Sequence, residues 1–189
     1  MANLYVIAGC NGAGKTTASF SVLPEMLQCK EFVNADEIAK GLSPFQPETV
    51  SLEAGRIMLK RIKELVNQNV DFAFETTLAS SSYKQLIKEA QADGYLVTLV
   101  FFWLNSPELA IKRVKSRVKS GGHNIPEDVI LRRYLAGIKN LGKLYLPVCD
   151  YWILIDNSEQ AYSRIAEGSK TSTISVNNQM IFDKIIKND

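Results

Sequence analysis

Short apolar runs alternate along the chain with longer stretches in which apolar positions recur every three or four residues. The first run, 4–8, has the unbroken hydrophobicity of a strand buried on both faces, and 17–22 reads as the opening turns of a helix ending near Pro24. A short strand is expected over 31–36, closing on polar residues, then a brief helix over 37–41 and a loop over 43–47. From 48 to 67, Val50, Ala54, Ile57, Met58, Ile62, Leu65 and Val66 fall at helical spacing. Strands over 71–76 and 95–103 flank a helix over 82–92 that Asp93-Gly94 stops. Ser106-Pro107 supplies an N-cap and a proline at the first helical position, which predicts a helix to about Val118. After a loop over 120–124, Pro126-Glu127 opens another helix to about Leu144, and 151–155 is a fifth strand. Residues 163–166 and 173–176 suit a hairpin, and 179–186 a closing helix.

Strands alternating with helices imply an α/β sandwich, a mainly parallel five-stranded sheet covered on both faces. In such a sheet ligands gather at the carboxyl ends of the strands. At the end of the first strand stands Gly9-Cys10-Asn11-Gly12-Ala13-Gly14-Lys15-Thr16, which satisfies the phosphate-binding pattern Gly-x-x-x-x-Gly-Lys-Ser/Thr in its required strand–loop–helix setting. Glycines let successive backbone N–H groups converge on phosphate oxygens, and the helix N-terminus adds partial positive charge. Gly9, Asn11, Gly12, Ala13, Gly14, Lys15, Thr16 and Thr17 are therefore expected around a nucleoside triphosphate, ATP or alternatively GTP. Lys15 would reach the β- and γ-phosphates, and the Thr16 hydroxyl would sit on Mg²⁺.

Bulk properties narrow the partners. At 189 residues one domain is expected, and a net charge of +2 gives no global argument for nucleic acid or a membrane surface. No apolar run approaches a membrane span. Cys10, Cys29 and Cys149 share no metal-ligand spacing and read as reduced thiols. With no signal-like segment at the start, a cytoplasmic location is expected.

The other strand ends supply the remaining candidates. Asp36 could accept a proton from an attacking hydroxyl or hold Mg²⁺, or it could simply cap the helix that follows. Glu75, followed by Thr76 and Thr77, is placed to bind substrate hydroxyls or merely to end a strand. Arg113 and Arg117 share a helix face just before the glycine loop Gly121-Gly122-His123, an arrangement suited to a cationic lid over the phosphates. Arg132 and Arg133 are weaker lid candidates, and Asp156-Asn157-Ser158 could pass an adenine ring or be a strand-ending turn.

Taken together, these residues resemble the zeta-toxin family of P-loop kinases, in its short, toxin-like branch. The markers are residues 9–17, Asn34-Ala35-Asp36, Phe74-Glu75-Thr76-Thr77, residues 121–127, Arg132-Arg133-Tyr134 and residues 150–158. The resemblance implies transfer of the ATP γ-phosphate to a hydroxyl of a UDP-activated amino sugar, typically UDP-N-acetylglucosamine. It makes Asp36 the general base, Glu75 and Thr77 substrate contacts, and Arg117 the lid arginine. His123 stands where better-known members carry a second lid arginine. The family also implies a small helical antitoxin over the nucleotide site. Two other readings remain open on the sequence: a kinase for a nucleoside, nucleotide or antibiotic hydroxyl, and a nucleotide-binding switch acting through a protein partner.

Overall fold

The computed structural model describes residues 1–119, 121–122 and 124–187. Among them, β1 (Asn3–Gly9), β2 (Glu31–Val33), β3 (Phe72–Thr76), β4 (Leu96–Trp103) and β5 (Tyr151–Asp156) run parallel in the order β2-β3-β1-β4-β5. The expected hairpin forms as β6 (Ser163–Ser169) and β7 (Thr173–Val176), and it extends the same sheet antiparallel from β5, giving seven strands. Trp152 joins the two parts. Its indole N–H donates to the Ser169 carbonyl at 2.9 Å, and its ring stacks on Phe182 of the closing helix.

Helices α1 (Lys15–Ser21), α2 (Ala35–Leu42), α3 (Ser51–Gln68), α4 (Tyr83–Ala92), α5 (Pro107–Lys119), α6 (Glu127–Asn140) and α7 (Gln179–Ile186) cover the sheet on both sides. Continuous burial of the central strands follows: Leu4, Val6, Phe72, Phe74 and Leu99 are fully enclosed, each worth about 1.5–3 kcal/mol of hydrophobic stabilisation. No helix among the described residues is long and apolar enough to cross a membrane.

Several boundaries differ from the sequence reading, among them the first strand of the hairpin, which runs to Ser169 rather than to residue 166. The second strand stops at Val33 because Asn34 is an N-cap; its side-chain oxygen accepts from the backbone N–H groups of Asp36 and Glu37, so α2 starts earlier. The long helix after the Pro44–Pro47 loop begins at Ser51, behind a 3₁₀ turn over Pro47–Val50. The helix expected to reach Leu144 widens into a π turn at Leu141–Tyr145, as α1 does at Val22–Met26, where Pro24 lacks the N–H that an α-helix needs.

At the end of the sheet opposite the P-loop, Asp150 organises the start of β5. It accepts from the Gln91 amide, the Val97 N–H and Lys170, each at 2.9 Å. Burial opposes its ionisation, but these donors together outweigh burial and hold its carboxyl below the ordinary value. Because the folded-state value is lowered, this stabilisation is complete above about pH 4 and is lost as pH falls through the folded value. Asp150→Ala is expected to lower unfolding free energy by about 2–3 kcal/mol at pH 7, the loss expected for hydrogen bonds to a charged group. The gap from wild type should narrow as pH falls below about 4; urea titrations at pH 7 and at successively lower pH check both statements.

Candidate active site

The P-loop hangs from β1. Gly9 takes φ +140°, and a Cβ there would overlap the Phe102 carbonyl of β4, so the turn requires glycine. The loop is then pinned from inside, with the Ala13 N–H on the Cys10 carbonyl and the Asn157 side-chain amide on the Ala13 carbonyl at 2.8 Å. Ala13 is wholly buried and contributes backbone only. Thr17 is exposed at the mouth. The Cys10 thiol, next in the loop, is pushed up to about 11 by burial.

Lys15 and Thr16 face β3. Lys15 is 4% exposed, and its ammonium donates to the Cys10 carbonyl at 2.9 Å and lies 3.4 Å from Glu75 Oε1. The other carboxylate oxygen of Glu75 accepts from the Thr16 hydroxyl at 2.7 Å and from the Asn34 amide at 2.9 Å. The carboxylate against the candidate Mg²⁺ threonine is thus Glu75, which the sequence offered as a substrate contact. Asp36, offered as both base and metal ligand, makes no side-chain hydrogen bond or ion pair among the described residues. With Asn34 as the cap, its carboxylate is not consumed in starting α2.

The donor set suits Mg²⁺, a hard cation that takes one or two carboxylates together with phosphate oxygens rather than a dedicated protein cage. Thr16 and Glu75 supply hard oxygens side by side. No cluster of three or more His, Cys, Asp or Glu that could hold a metal occurs among the described residues.

Two cavities meet at these side chains. One, of about 530 Å³, runs over the P-loop and is lined by Gly12, Gly14, Thr16 and Thr17, with Arg113 and Arg117 opposite. The other, of about 270 Å³, is lined by Thr76, Thr77, Ser80, Met58, Tyr83 and Arg133. They share Asn11, Lys15, Asp36 and Glu75. A third cavity, of about 230 Å³, adjoins the second through Ala35, Asp36 and Arg133.

The lid residues divide. Arg117 stands in the last turn of α5, which closes with the Gly121 and Gly122 N–H groups donating to the Val118 and Arg117 carbonyls. It is exposed on the wall of the P-loop cavity. Arg113 lines the same cavity, but its guanidinium donates to the Asn157 and Ser158 carbonyls at 2.7 and 3.2 Å, clamping the loop after β5. Arg133 donates to the Asn11 side-chain oxygen at 3.2 Å, whereas Arg132 is exposed. His123 lies outside the described residues.

Sequence reasoning missed the floor of the second cavity. Met58 and Tyr83 carry no chemical signature in a sequence, and they come together only because α3 and α4 converge on β3, where Tyr83 stacks on Phe74. The rim at Thr77–Ser80 is suspended from α6 and the turn behind it. Asn140 donates to the Leu78 carbonyl at 2.7 Å, and Tyr145 donates to the Ser80 carbonyl. Gly137 permits the close approach, since a Cβ there would stand 2.5 Å from the Thr77 carbonyl oxygen. Gly137→Ala must therefore push this rim. The expected result is a loss of about 1–3 kcal/mol in stability and a raised KM for the acceptor, with nucleotide affinity unchanged. Calorimetric ATP titration beside acceptor kinetics checks it.

A parallel sheet in this strand order, with a P-loop at the end of β1 and an arginine-bearing helix over the adjoining cavity, is the architecture of a P-loop kinase. Within that class the chain belongs to the zeta-toxin family, whose model, described as Zeta toxin, matches residues 2–163. A Haemophilus influenzae protein described as uncharacterised is 35% identical over 126 residues, covering 67% of this chain and 88% of its own length. Among solved structures, the AvrRxo1-ORF1:AvrRxo1-ORF2 complex is similar over 100% of this chain, with TM-scores of 0.82 with sulphate ions and 0.79 with ATP, at 17% and 18% identity. This chain spans 65% and 64% of those longer chains. The Streptococcus pneumoniae PezAT chromosomal toxin–antitoxin system matches over 100% of this chain and 80% of its own, with TM-score 0.69 and 15% identity. At these identities the structural likeness is one of fold.

Proposed function

We propose that this protein transfers the γ-phosphate of ATP to a hydroxyl of a UDP-amino sugar such as UDP-N-acetylglucosamine. The observation that carries the transfer is the meeting of two cavities at Lys15, Asp36 and Glu75. A triphosphate on the P-loop and an alcohol in the second cavity would face each other across those side chains, the close alignment that phosphoryl transfer needs. Lys15 and the P-loop amides hold the phosphates, and Thr16 with Glu75 would hold Mg²⁺, which would supply charge neutralisation for the transfer. Asp36 takes the proton from the acceptor hydroxyl. Arg117 and Arg133, approaching from α5 and α6, stabilise the group in flight, and Arg113 shapes the nucleotide loop through Asn157 and Ser158.

The sugar-nucleotide acceptor rests on family membership and on room. The second cavity is below the roughly 300–1,000 Å³ of sites for drug-sized ligands, so it suits a single sugar, and the adjoining 230 Å³ cavity is open to the rest of a larger molecule. Thr77 and Ser80 offer hydroxyl partners for the sugar. The partner implied by the family is a small helical antitoxin over the nucleotide cavity.

Purified protein with γ-labelled ATP, Mg²⁺ and a panel of UDP-sugars, nucleosides, nucleotides and antibiotics tests the proposal. Label on UDP-N-acetylglucosamine supports it, and label on another member replaces the acceptor. ATP bound with no member labelled would favour a nucleotide switch acting through a protein partner.

A further inference from the structure

One buried side chain touches both halves of the reaction centre. Asn34, 6% exposed, follows β2 in extended conformation. Its oxygen accepts from the Asp36 N–H at 2.8 Å and from the Glu37 N–H at 3.4 Å. Its amide nitrogen donates to Glu75 Oε2 at 2.9 Å, with the Thr16 hydroxyl 3.5 Å away. The orientation is unambiguous chemically. Flipping the amide would set its oxygen against a carboxylate and its NH₂ against two backbone N–H groups.

We propose that Asn34 is a positioning residue that sets the Asp36 helix and the Glu75 carboxylate in one frame. As cap it fixes the first turn of α2, on which Asp36 rides. As donor it orients the carboxylate that meets Thr16, so that Glu75 presents one fixed oxygen at the metal position. Neither role alone requires asparagine: serine or aspartate would cap as well, and many donors would satisfy a carboxylate. Only a side chain carrying an acceptor and a donor on one short planar group performs both here. The inference rests on the proposed Mg²⁺·ATP site and is independent of the acceptor.

Asn34→Ser separates the roles, because serine keeps the cap and lacks the amide donor. ATP affinity is measured by calorimetry with and without Mg²⁺ for wild type, Asn34→Ser, Glu75→Gln and the double variant, beside ligand-free thermal unfolding. Asn34→Ser should unfold near wild type and bind metal-free ATP equally well. Its Mg²⁺-dependent gain in affinity should fall about 10–100-fold, the usual effect of losing a group that orients a metal ligand. The double variant should be no worse than Glu75→Gln, since both act through one carboxylate. An unchanged Mg²⁺ gain in Asn34→Ser, or additive losses in the double variant, would reduce Asn34 to a helix cap and overturn the inference. If wild type binds ATP without any Mg²⁺ gain, the metal assignment fails and the inference fails with it. A failed search for the acceptor alters neither, because no acceptor enters the titration.

Discussion

Asp36→Asn is expected to lower phosphoryl transfer by about 10²–10⁴-fold, the usual contribution of a positioned general base, while leaving ATP affinity nearly unchanged. The substitution is nearly isosteric, and the structure gives little reason for it to disturb folding. The Asp36 backbone N–H, not its carboxylate, engages the Asn34 cap, and the carboxylate has no side-chain partner among the described residues to abandon. What it does have is position, on the boundary shared by the three cavities. An amide there can still accept a hydrogen bond from an alcohol but cannot take its proton. The loss should therefore appear in kcat, with acceptor KM little altered. Were Asp36 chiefly a metal ligand, the same variant would instead raise the Mg²⁺ concentration needed for half-maximal rate. Single-turnover transfer at several Mg²⁺ concentrations distinguishes the two, and a variant with unaltered rate would remove Asp36 from the chemistry.

The P-loop and the parallel sheet were legible because both are local. The motif fixes strand, turn and helix within a few residues of one another, and the strand at 4–8 is hydrophobic on both faces because helices cover both. The C-terminal hairpin could be anticipated, but its attachment to β5 could not, since it depends on Trp152 meeting Ser169 and Phe182. Site roles were less legible where they depend on which strand lies beside which. In sequence, Glu75 is 59 residues from Thr16. Only the pairing of β3 with β1, which sets Glu75 opposite Ile7, brings the carboxylate onto the P-loop threonine. Arg113 and Arg117 look equivalent on a helical wheel, yet the loop after β5 captures the first and leaves the second facing the nucleotide cavity. Of the adjacent pair Arg132 and Arg133, the turn of α6 directs one to Asn11 and the other to solvent. Asn34 carried a readable signal, an asparagine two residues ahead of Asp36-Glu37 in a helix start, but its second contact crosses to β3.

Lys15→Ala is expected to do two separable things. It should abolish most transfer, by about 10²–10³-fold or more, because a fixed cation is removed from the phosphates in a site sheltered from water. It should also destabilise the nucleotide-free protein by about 3 kcal/mol, toward the lower end of the range for removing one partner of a buried ion pair. The side chains of Lys15 and Glu75 are only 5% and 11% exposed, so Glu75 would keep a buried charge without its cation. The lower end applies because Thr16 and Asn34 still donate to that carboxylate, and the Cys10 carbonyl, which loses Lys15, still accepts from the Ala13 N–H. Adding Glu75→Gln removes the stranded charge while keeping an oxygen for Thr16. The double variant should accordingly recover most of the lost stability and none of the lost transfer. Chemical denaturation without nucleotide and transfer assays on wild type, Lys15→Ala, Glu75→Gln and the double variant make the comparison. If Lys15→Ala unfolds at the wild-type midpoint, the ion pair contributes nothing in the resting protein and the lysine is held only for its ligand. If the double variant regains transfer, the phosphates are held by groups other than Lys15, and the P-loop reading of the reaction fails at its first residue.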